Sequence, residues 1–91
     1  MDFGEALDAL REGFRVTREG WNGKGMWLFL NPGSMVKVSD GRPLASAFPV
    51  GEDVECLPYI MMKTVGITPK LVPWLASQTD LLAEDWMVLE K

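Results

Sequence analysis

The sequence predicts an α+β fold: a small, mainly antiparallel sheet with an N-terminal helix and a short C-terminal helix, assembled as a homo-oligomer. Helical hydrophobic periodicity occurs near both ends of the chain, and strand-like segments lie between them. The chain has 91 residues, which fits one domain over residues 1–91 with a core small enough that association is expected. No segment looks like a leader peptide or a membrane span, so a cytoplasmic protein is expected.

The first helix is predicted over residues 2–12. Four apolar residues in this segment recur at spacings of i, i+3, i+4 and i+7, which places them on one face. Asp2 is a suitable N-cap, and Glu5 stands at the third helical position, where it completes a capping box. Gly13 is placed as the residue that ends the helix.

Extended segments follow, rich in aromatic, β-branched and methionine side chains and bounded by Gly or Pro. In the first, Phe14 and Val16 are expected to face the core, and Arg15 and Arg18 to lie on or near the other side. The second is apolar on both faces and should lie centrally in the sheet or against a partner. Residues 39–53 are predicted to be a loop. The extended segments are residues 14–18, 26–30, 35–38, 59–65, 70–74 and 86–90.

The C-terminal helix is predicted to begin within "ASQTDLLAEDW". Ser77 is the N-cap and Asp80 the matching third residue, an arrangement whose cap alone contributes about 1 kcal/mol. The same site could instead present its free N–H groups to an anion, with Gln78 and Asp80 reading ribose hydroxyls or a base edge. Glu84 and Asp85 are adjacent and do not share a helix face, so solvated positions are expected for both.

Composition excludes several classes of function. The net charge is −4, which argues against duplex nucleic acid or an anionic membrane as the main partner. The chain contains no histidine, the usual general base and a common metal ligand, so no catalytic residues and no metal site are predicted. Its single cysteine, Cys56, cannot form an intrachain disulfide and is expected to be a small hydrophobic residue.

The segment "GWNGKG", residues 20–25, allows two interpretations. It can be a hairpin turn between two strands, or a concave surface of backbone N–H groups that binds an anion with help from Arg18 or Lys24. It matches neither the P-loop nor the dinucleotide-binding fingerprint. Trp21 in this loop and Trp74 near the second helix could stack on a base or fill a subunit interface, and the orientation of Trp27 stays open.

Two long blocks, "REGWNGKGMWL" and "VPWLASQTDLLAEDW", together with "DFGEALDALREG" and "PYIMMKT", resemble the Thoeris anti-defence sponges of the second type. These are small phage and bacterial proteins, and the resemblance covers nearly the whole chain. It implies a cofactor-free binding protein that captures cyclic ADP-ribose isomers made by TIR-domain proteins. It also implies a homotetramer with pockets between protomers, and for some members a separate site for cyclic oligonucleotides.

The resemblance also implies which residues bind the nucleotide. The first block contributes an aromatic wall, a polar side chain, a glycine for close approach and a cation. The second contributes an aromatic side chain and the polar start of the helix. Arg18, Lys24 and Lys63 are the candidates for the two phosphates. The implied ligand-binding residues are Trp21, Asn22, Gly23, Lys24, Trp74, Ser77, Gln78 and Asp80.

Two other classes of function stay open on the sequence alone. The tryptophans could serve only subunit association, which predicts a stable oligomer that binds no nucleotide. The chain could instead be a small nucleotide hydrolase, which predicts that the ligand is altered. The resemblance favours a non-catalytic nucleotide sponge over both.

Overall fold

The computed structural model describes residues 1–21 and 25–89. It confirms the predicted α+β fold, with a helix near each end of the chain and antiparallel strands between them. The helices are α1 (Phe3–Arg11) and α2 (Gln78–Leu82). The strands are β1 (Arg15–Arg18), β2 (Trp27–Asn31), β3 (Ser34–Lys37), β4 (Asp53–Cys56), β5 (Tyr59–Lys63), β6 (Leu71–Pro73) and β7 (Trp86–Leu89).

The main sheet has five strands in the order β6-β5-β2-β1-β7, and every neighbouring pair is antiparallel. The prediction that the two-faced apolar strand is central is confirmed, because β2 is the middle strand. β1 and β2 pair with Val16 opposite Leu28, so "GWNGKG" does connect the two strands of a hairpin. β7 pairs with β1 and thereby brings the last strand beside the first.

The capping signals of α1 act as predicted. The Asp2 carboxylate accepts a hydrogen bond from the Glu5 backbone N–H at 2.8 Å, and the Glu5 carboxylate accepts one from the Asp2 N–H at 3.1 Å. Gly13 follows the helix with a φ of 92°, a left-handed conformation that favours glycine. The helix therefore begins and ends where local chemistry indicates.

The core lies between α1 and one face of the main sheet. Ala6 and Leu10 of α1 pack against Val16, Leu28 and Trp86, and all five side chains are buried. Half-buried apolar side chains of β2 and β5 extend this layer along the sheet. Burial of this kind supplies the main favourable free energy of folding.

The opposite side of the sheet, called here the outer face, has no helix over it in the described chain. It carries side chains that alternate with the core residues along each strand. Trp27 contacts Phe29 at a ring-centroid distance of 5.9 Å, and the Arg15 guanidinium lies 4.9 Å from the Trp27 ring. Leu71 and Met87 on this face are 54% and 43% exposed. Trp27 therefore faces away from the core.

Residues 33–57 form an arm that the sequence did not predict. Among the described strands, β3 and β4 pair only with each other, in a separate two-stranded sheet. All four residues of β4 lie outside the predicted extended segments, and Asp53 lies in the predicted loop. Val38 is the one buried residue among the described residues of the arm, and Cys56 is half-buried. The radius of gyration is 16.1 Å, above the roughly 12 Å of a compact chain this long.

Candidate functional site

Four aromatic side chains meet at one end of the main sheet, around the buried Trp86. The ring centroid of Trp86 lies 5.4 Å from Phe3, 5.5 Å from Trp21 and 6.0 Å from Trp74. Trp21 and Trp74 both meet Trp86 at steep angles, 77° and 86°, the edge-to-face geometry that aromatic pairs favour. We call these four residues the Trp86 cluster.

Trp86 is 2% exposed, whereas Trp21 and Trp74 are only half-buried. Each of them therefore packs one part of its ring on the core and leaves another part accessible. Their packing on the core was not predicted, but it leaves ring surface for either of the two predicted contacts, with a base or with another subunit. The cluster also explains why Trp21 stands in a polar loop, because it anchors that loop to the core.

Beside this cluster, one arginine binds two carboxylates. Arg18 Nη1 donates to Asp80 Oδ1 at 2.6 Å, and Arg18 Nε donates to Asp85 Oδ1 at 2.8 Å. The Arg18 side chain is only 14% exposed, and it stands opposite Trp86 in the β1–β7 register. The prediction that Arg18 lies on or near the side away from the core was wrong. It shares a face with Val16, two residues earlier, as strand alternation requires.

Asp85 also corrects the sequence analysis, which placed it in solvent. Its Oδ2 accepts a hydrogen bond from the Gly20 N–H at 2.7 Å, and its backbone carbonyl accepts one from the Glu19 N–H at 3.1 Å. These bonds reach the one-turn 3₁₀ helix Glu19–Trp21 that follows β1. Arg18, Asp80 and Asp85 are called here the Arg18 triad.

The start of α2 joins the two groups of residues. Ser77 Oγ accepts a hydrogen bond from the Asp80 N–H at 3.1 Å, and Asp80 Oδ2 accepts one from the Ser77 N–H at 3.4 Å, which confirms the predicted capping box. Trp86 Nε1 donates to the Asp80 carbonyl at 3.0 Å. Ser77 and Gln78 are exposed, and Gln78 is the first helical residue.

The triad perturbs the ionisation of its members. The hydrogen bonds that Arg18 donates to Asp85 and then to Asp80 raise the pKa of Arg18. The hydrogen bond from Arg18 holds the pKa of Asp85 below its ordinary value, and the Gly20 N–H adds to this effect. Partial burial alone would raise the pKa of Asp80, but hydrogen bonds from Arg18 and Ser77 lower it overall. The triad therefore carries two ionised carboxylates on one guanidinium at neutral pH.

The far end of the glycine loop is also held by hydrogen bonds from neighbouring strands. Lys63 Nζ donates to the Gly25 carbonyl at 3.0 Å, and Thr17 Oγ1 donates to the Met26 carbonyl at 2.6 Å. Gly25 has a φ of 81°, a conformation that other residues rarely adopt. Lys63, named from the sequence as a phosphate candidate, thus lies at the loop.

The structure brings together most of the residues that the sequence named. Trp21 and Trp74 contact Trp86, while Arg18 and Ser77 both hydrogen-bond to Asp80. Gln78 lies next to Ser77 at the start of the same helix. Asn22, Gly23 and Lys24 lie outside the described residues.

Sequence reasoning missed Phe3 and Asp85 as parts of this region. Phe3 was counted only as a residue of the helix face. Asp85 was treated as a residue late in the second helix, but α2 ends at Leu82. Asp85 therefore lies in the connection directly before β7, and its closeness to the strand was the signal that could have identified it. Trp86, the next residue, is the first residue of β7 and is buried in the core.

The described residues offer no group of three or more His, Cys, Asp or Glu side chains placed to hold a metal ion. In the same residues, no helix has the length and apolar character needed to cross a membrane. Three open grooves lie away from the Trp86 cluster, two on the arm and one beside α1 at Leu7 and Arg11. Beside the half-buried rings of Trp21 and Trp74, the exposed Ser77 and Gln78 present a hydroxyl and an amide.

Two comparisons with known proteins identify the family of the chain. The family model of the Thoeris anti-defense 2-like domain matches residues 1–89. The chain is 42% identical over 92 residues to the protein named Thoeris anti-defense 2 of Bacillus phage SP01, and the match covers 98% of this chain and 94% of that protein. The matched region therefore includes all residues of the Trp86 cluster and the Arg18 triad, which are Phe3, Arg18, Trp21, Trp74, Asp80, Asp85 and Trp86. On this evidence the chain belongs to the Thoeris anti-defense 2 family, a family of anti-defence proteins.

Proposed function

We propose that this protein is a non-catalytic sponge that binds a cyclic ADP-ribose isomer made by a TIR-domain protein and so blocks Thoeris defence in the bacterial cytoplasm. The observation that carries the proposal is the match to the Thoeris anti-defense 2-like domain over residues 1–89. Sequestration works by mass action on a scarce signal, so it requires tight binding and slow release. A site fixed before the ligand arrives lowers the ordering cost of binding.

The ligand site of the proposal is the exposed side of the Trp86 cluster and the residues around it. The accessible parts of Trp21 and Trp74 offer aromatic surface on which a base can stack, because every nucleobase has a flat π-face. Ser77 and Gln78 offer exposed polar groups for ribose hydroxyls. Asn22, Gly23 and Lys24 complete the proposed contacts from the glycine loop.

The Arg18 triad has a different part in the proposal. Arg18 and Asp80 bind each other at 2.6 Å, and Asp85 binds the same guanidinium. Because two carboxylates already neutralise the Arg18 charge, we assign the phosphates to Lys24 and Lys63 first. Arg18 and Asp80 then contribute mainly by holding the loop and α2 in place.

The proposed assembly is a homotetramer in which neighbouring protomers complete the pocket. The outer face supports this, because Trp27, Phe29, Leu71 and Met87 form an apolar surface without a covering layer in the described chain. Apolar side chains on an uncovered sheet face are typical of an interaction surface.

A capture experiment tests the proposal. The protein is incubated with the cyclic ADP-ribose isomers released by a Thoeris TIR-domain protein, freed of unbound ligand and heat-denatured, and the supernatant is analysed by mass spectrometry. Intact isomer supports the sponge. Altered nucleotide would identify a hydrolase, and no nucleotide would leave an oligomerisation module. A parallel sample with cyclic oligonucleotides tests the second class of ligand.

A matched pair of variants tests the site itself. Gln78 and Thr79 are adjacent, exposed residues of the first turn of α2, and neither side chain has a hydrogen bond among the described residues. Loss of one direct polar contact costs about tenfold in affinity, so we expect Gln78→Ala to weaken capture by that factor. Thr79→Ala should bind like the parent protein. Equal affinity of both variants would remove Gln78 from the site.

A further inference from the structure

We propose that Asp85 is a positioning residue that sets the Glu19–Trp21 turn and, through it, the orientation of the Trp21 ring against Trp86. Its effect on nucleotide capture rests on the proposed function, whereas its effect on Trp21 does not. Asp85 touches no proposed ligand atom itself. It acts on the ligand site through Gly20 and Arg18.

Asp85 holds two successive amides of the turn. Its Oδ2 accepts from the Gly20 N–H at 2.7 Å, and its carbonyl accepts from the Glu19 N–H at 3.1 Å. The turn has no buried residue of its own, so apolar packing fixes it only through the half-buried Trp21. Among the described residues, the two hydrogen bonds that the turn donates to Asp85 therefore restrain its orientation further.

Gly20 gives an independent reason to connect the turn with this carboxylate. Gly20 is not among the glycines with positive φ, so its backbone conformation is open to other residues. A Cβ at position 20 would, however, lie 2.8 Å from Asp85 Oδ2 and 3.3 Å from Arg18 Nη2. An alanine at position 20 would therefore displace the Asp85 carboxylate, the end of a side chain, and so perturb this contact without replacing Asp85 itself.

The same carboxylate connects the two halves of the proposed site. Asp85 Oδ1 binds Arg18 Nε, and Arg18 Nη1 binds Asp80 Oδ1. Asp80 in turn completes the capping box with Ser77. Loss of the Asp85 carboxylate thus removes one of the two hydrogen bonds on the turn, from the Gly20 N–H, and one of the two anchors of Arg18, the residue that holds the start of α2.

Glu84 provides a matched control. It is the adjacent acid, it is exposed, and its carboxylate has no ion pair or hydrogen bond among the described residues. Glu84→Ala removes the same charge one residue away. The test therefore compares Asp85→Ala, Asp85→Asn and Gly20→Ala with Glu84→Ala and the parent protein.

The first measurement is affinity by calorimetry for the cyclic ADP-ribose isomers released by a Thoeris TIR-domain protein. If loss of the charged hydrogen bonds to Asp85 displaces Trp21, a proposed contact residue, the affinity should fall by about 10- to 100-fold. We expect that loss for Asp85→Ala and Gly20→Ala. Asp85→Asn, which keeps an acceptor for the Gly20 N–H, should lie between them and the parent. Glu84→Ala should match the parent.

The second measurement reports on Trp21 without ligand. The protein is labelled with 5-fluorotryptophan, and its ¹⁹F resonances are recorded, with the Trp21 resonance assigned by Trp21→Phe. A residue that merely contributes to global stability would lower the unfolding temperature and leave this resonance of the folded protein unmoved. We expect the resonance to shift in Asp85→Ala and Gly20→Ala and to stay in place in Glu84→Ala.

The outcomes separate this inference from the proposed function. An unmoved Trp21 resonance in both Asp85→Asn and Gly20→Ala would overturn the positioning role, whatever happens to affinity. A shifted resonance with unchanged affinity would overturn its importance for capture. If the parent protein captures none of the isomers, the proposed function fails, and the resonance still decides the role of Asp85. If Asp85→Ala does not fold, Asp85→Asn and Gly20→Ala carry the test.

Discussion

Replacing Trp86 with phenylalanine should destabilise the protein far more than the same replacement at Trp27. Trp86 is 2% exposed, contacts three aromatic rings and donates Nε1 to the Asp80 carbonyl at 3.0 Å. Trp27 lies on the outer face, where its ring contacts Phe29 and Arg15, and its indole N–H has no hydrogen bond to the described residues. The two substitutions are chemically identical, so the difference reports on the sites.

The magnitude follows from what the smaller ring leaves behind. Loss of the Nε1–H leaves the Asp80 carbonyl without a donor, at a cost of about 1 kcal/mol. The space vacated in the core, roughly that of two CH groups, costs a further ~1–2 kcal/mol. We therefore expect Trp86→Phe to lower the free energy of unfolding by about 2–3 kcal/mol, or the midpoint temperature by about 10–20 °C for a domain of this size.

Urea and thermal unfolding followed by far-ultraviolet circular dichroism measure this difference. All samples are compared at one protomer concentration, because the stability of an oligomer depends on concentration. Trp27→Phe should change the free energy of unfolding by less than about 1 kcal/mol. The reasoning is refuted if Trp86→Phe stays within about 0.5 kcal/mol of the parent protein, or if Trp27→Phe is equally destabilising.

Three further results are expected. Ser77→Ala should lower stability by about 1 kcal/mol because the N-cap of α2 is lost, and Ser77→Asp should retain it, as chemical unfolding will show. Because the folded-state pKa values of Asp80 and Asp85 are lowered, their stabilisation should be complete above the ordinary carboxyl pKa of about 4 and be lost as the pH falls below it; the melting temperature of Asp85→Asn should therefore depend less on pH in that range, and an equally steep profile would contradict this. Leu71→Glu on the outer face should shift the sedimentation equilibrium toward smaller species, whereas Leu82→Glu on exposed α2 should not.

Local signals allowed much of the fold to be predicted. The caps of α1 depend on neighbouring residues, and Asp2, Glu5 and Gly13 act as their types indicate. β4 was not predicted as a strand because Asp53–Cys56 alternates acidic residues with Val and Cys and follows a segment rich in Gly and Pro. Its strand character depends on pairing with β3, which local pattern does not reveal.

The candidate site could be predicted in part for the same reason. Trp21, Trp74 and Ser77 stand out by type and local context. The position of Arg18 was misjudged because a charged residue at the end of a strand was assumed to avoid the core face. Its burial depends on Asp80 and Asp85, which are more than 60 positions away, and partners at such distance cannot be found from spacing along the chain.

The pairing of β1 with β7 has a consequence for how the protein folds. The strands β1, β2 and β5 can pair before β7 is in place. The contacts of the candidate site form later, because Arg18 is separated from Asp80 and Asp85 by 62 and 67 residues along the chain. Closing so long a chain segment carries a large entropy cost and comes late when shorter closures compete. A chain still emerging from the ribosome would therefore hold no assembled site, and the ability to bind the proposed signal would arise in a single step with the docking of β7.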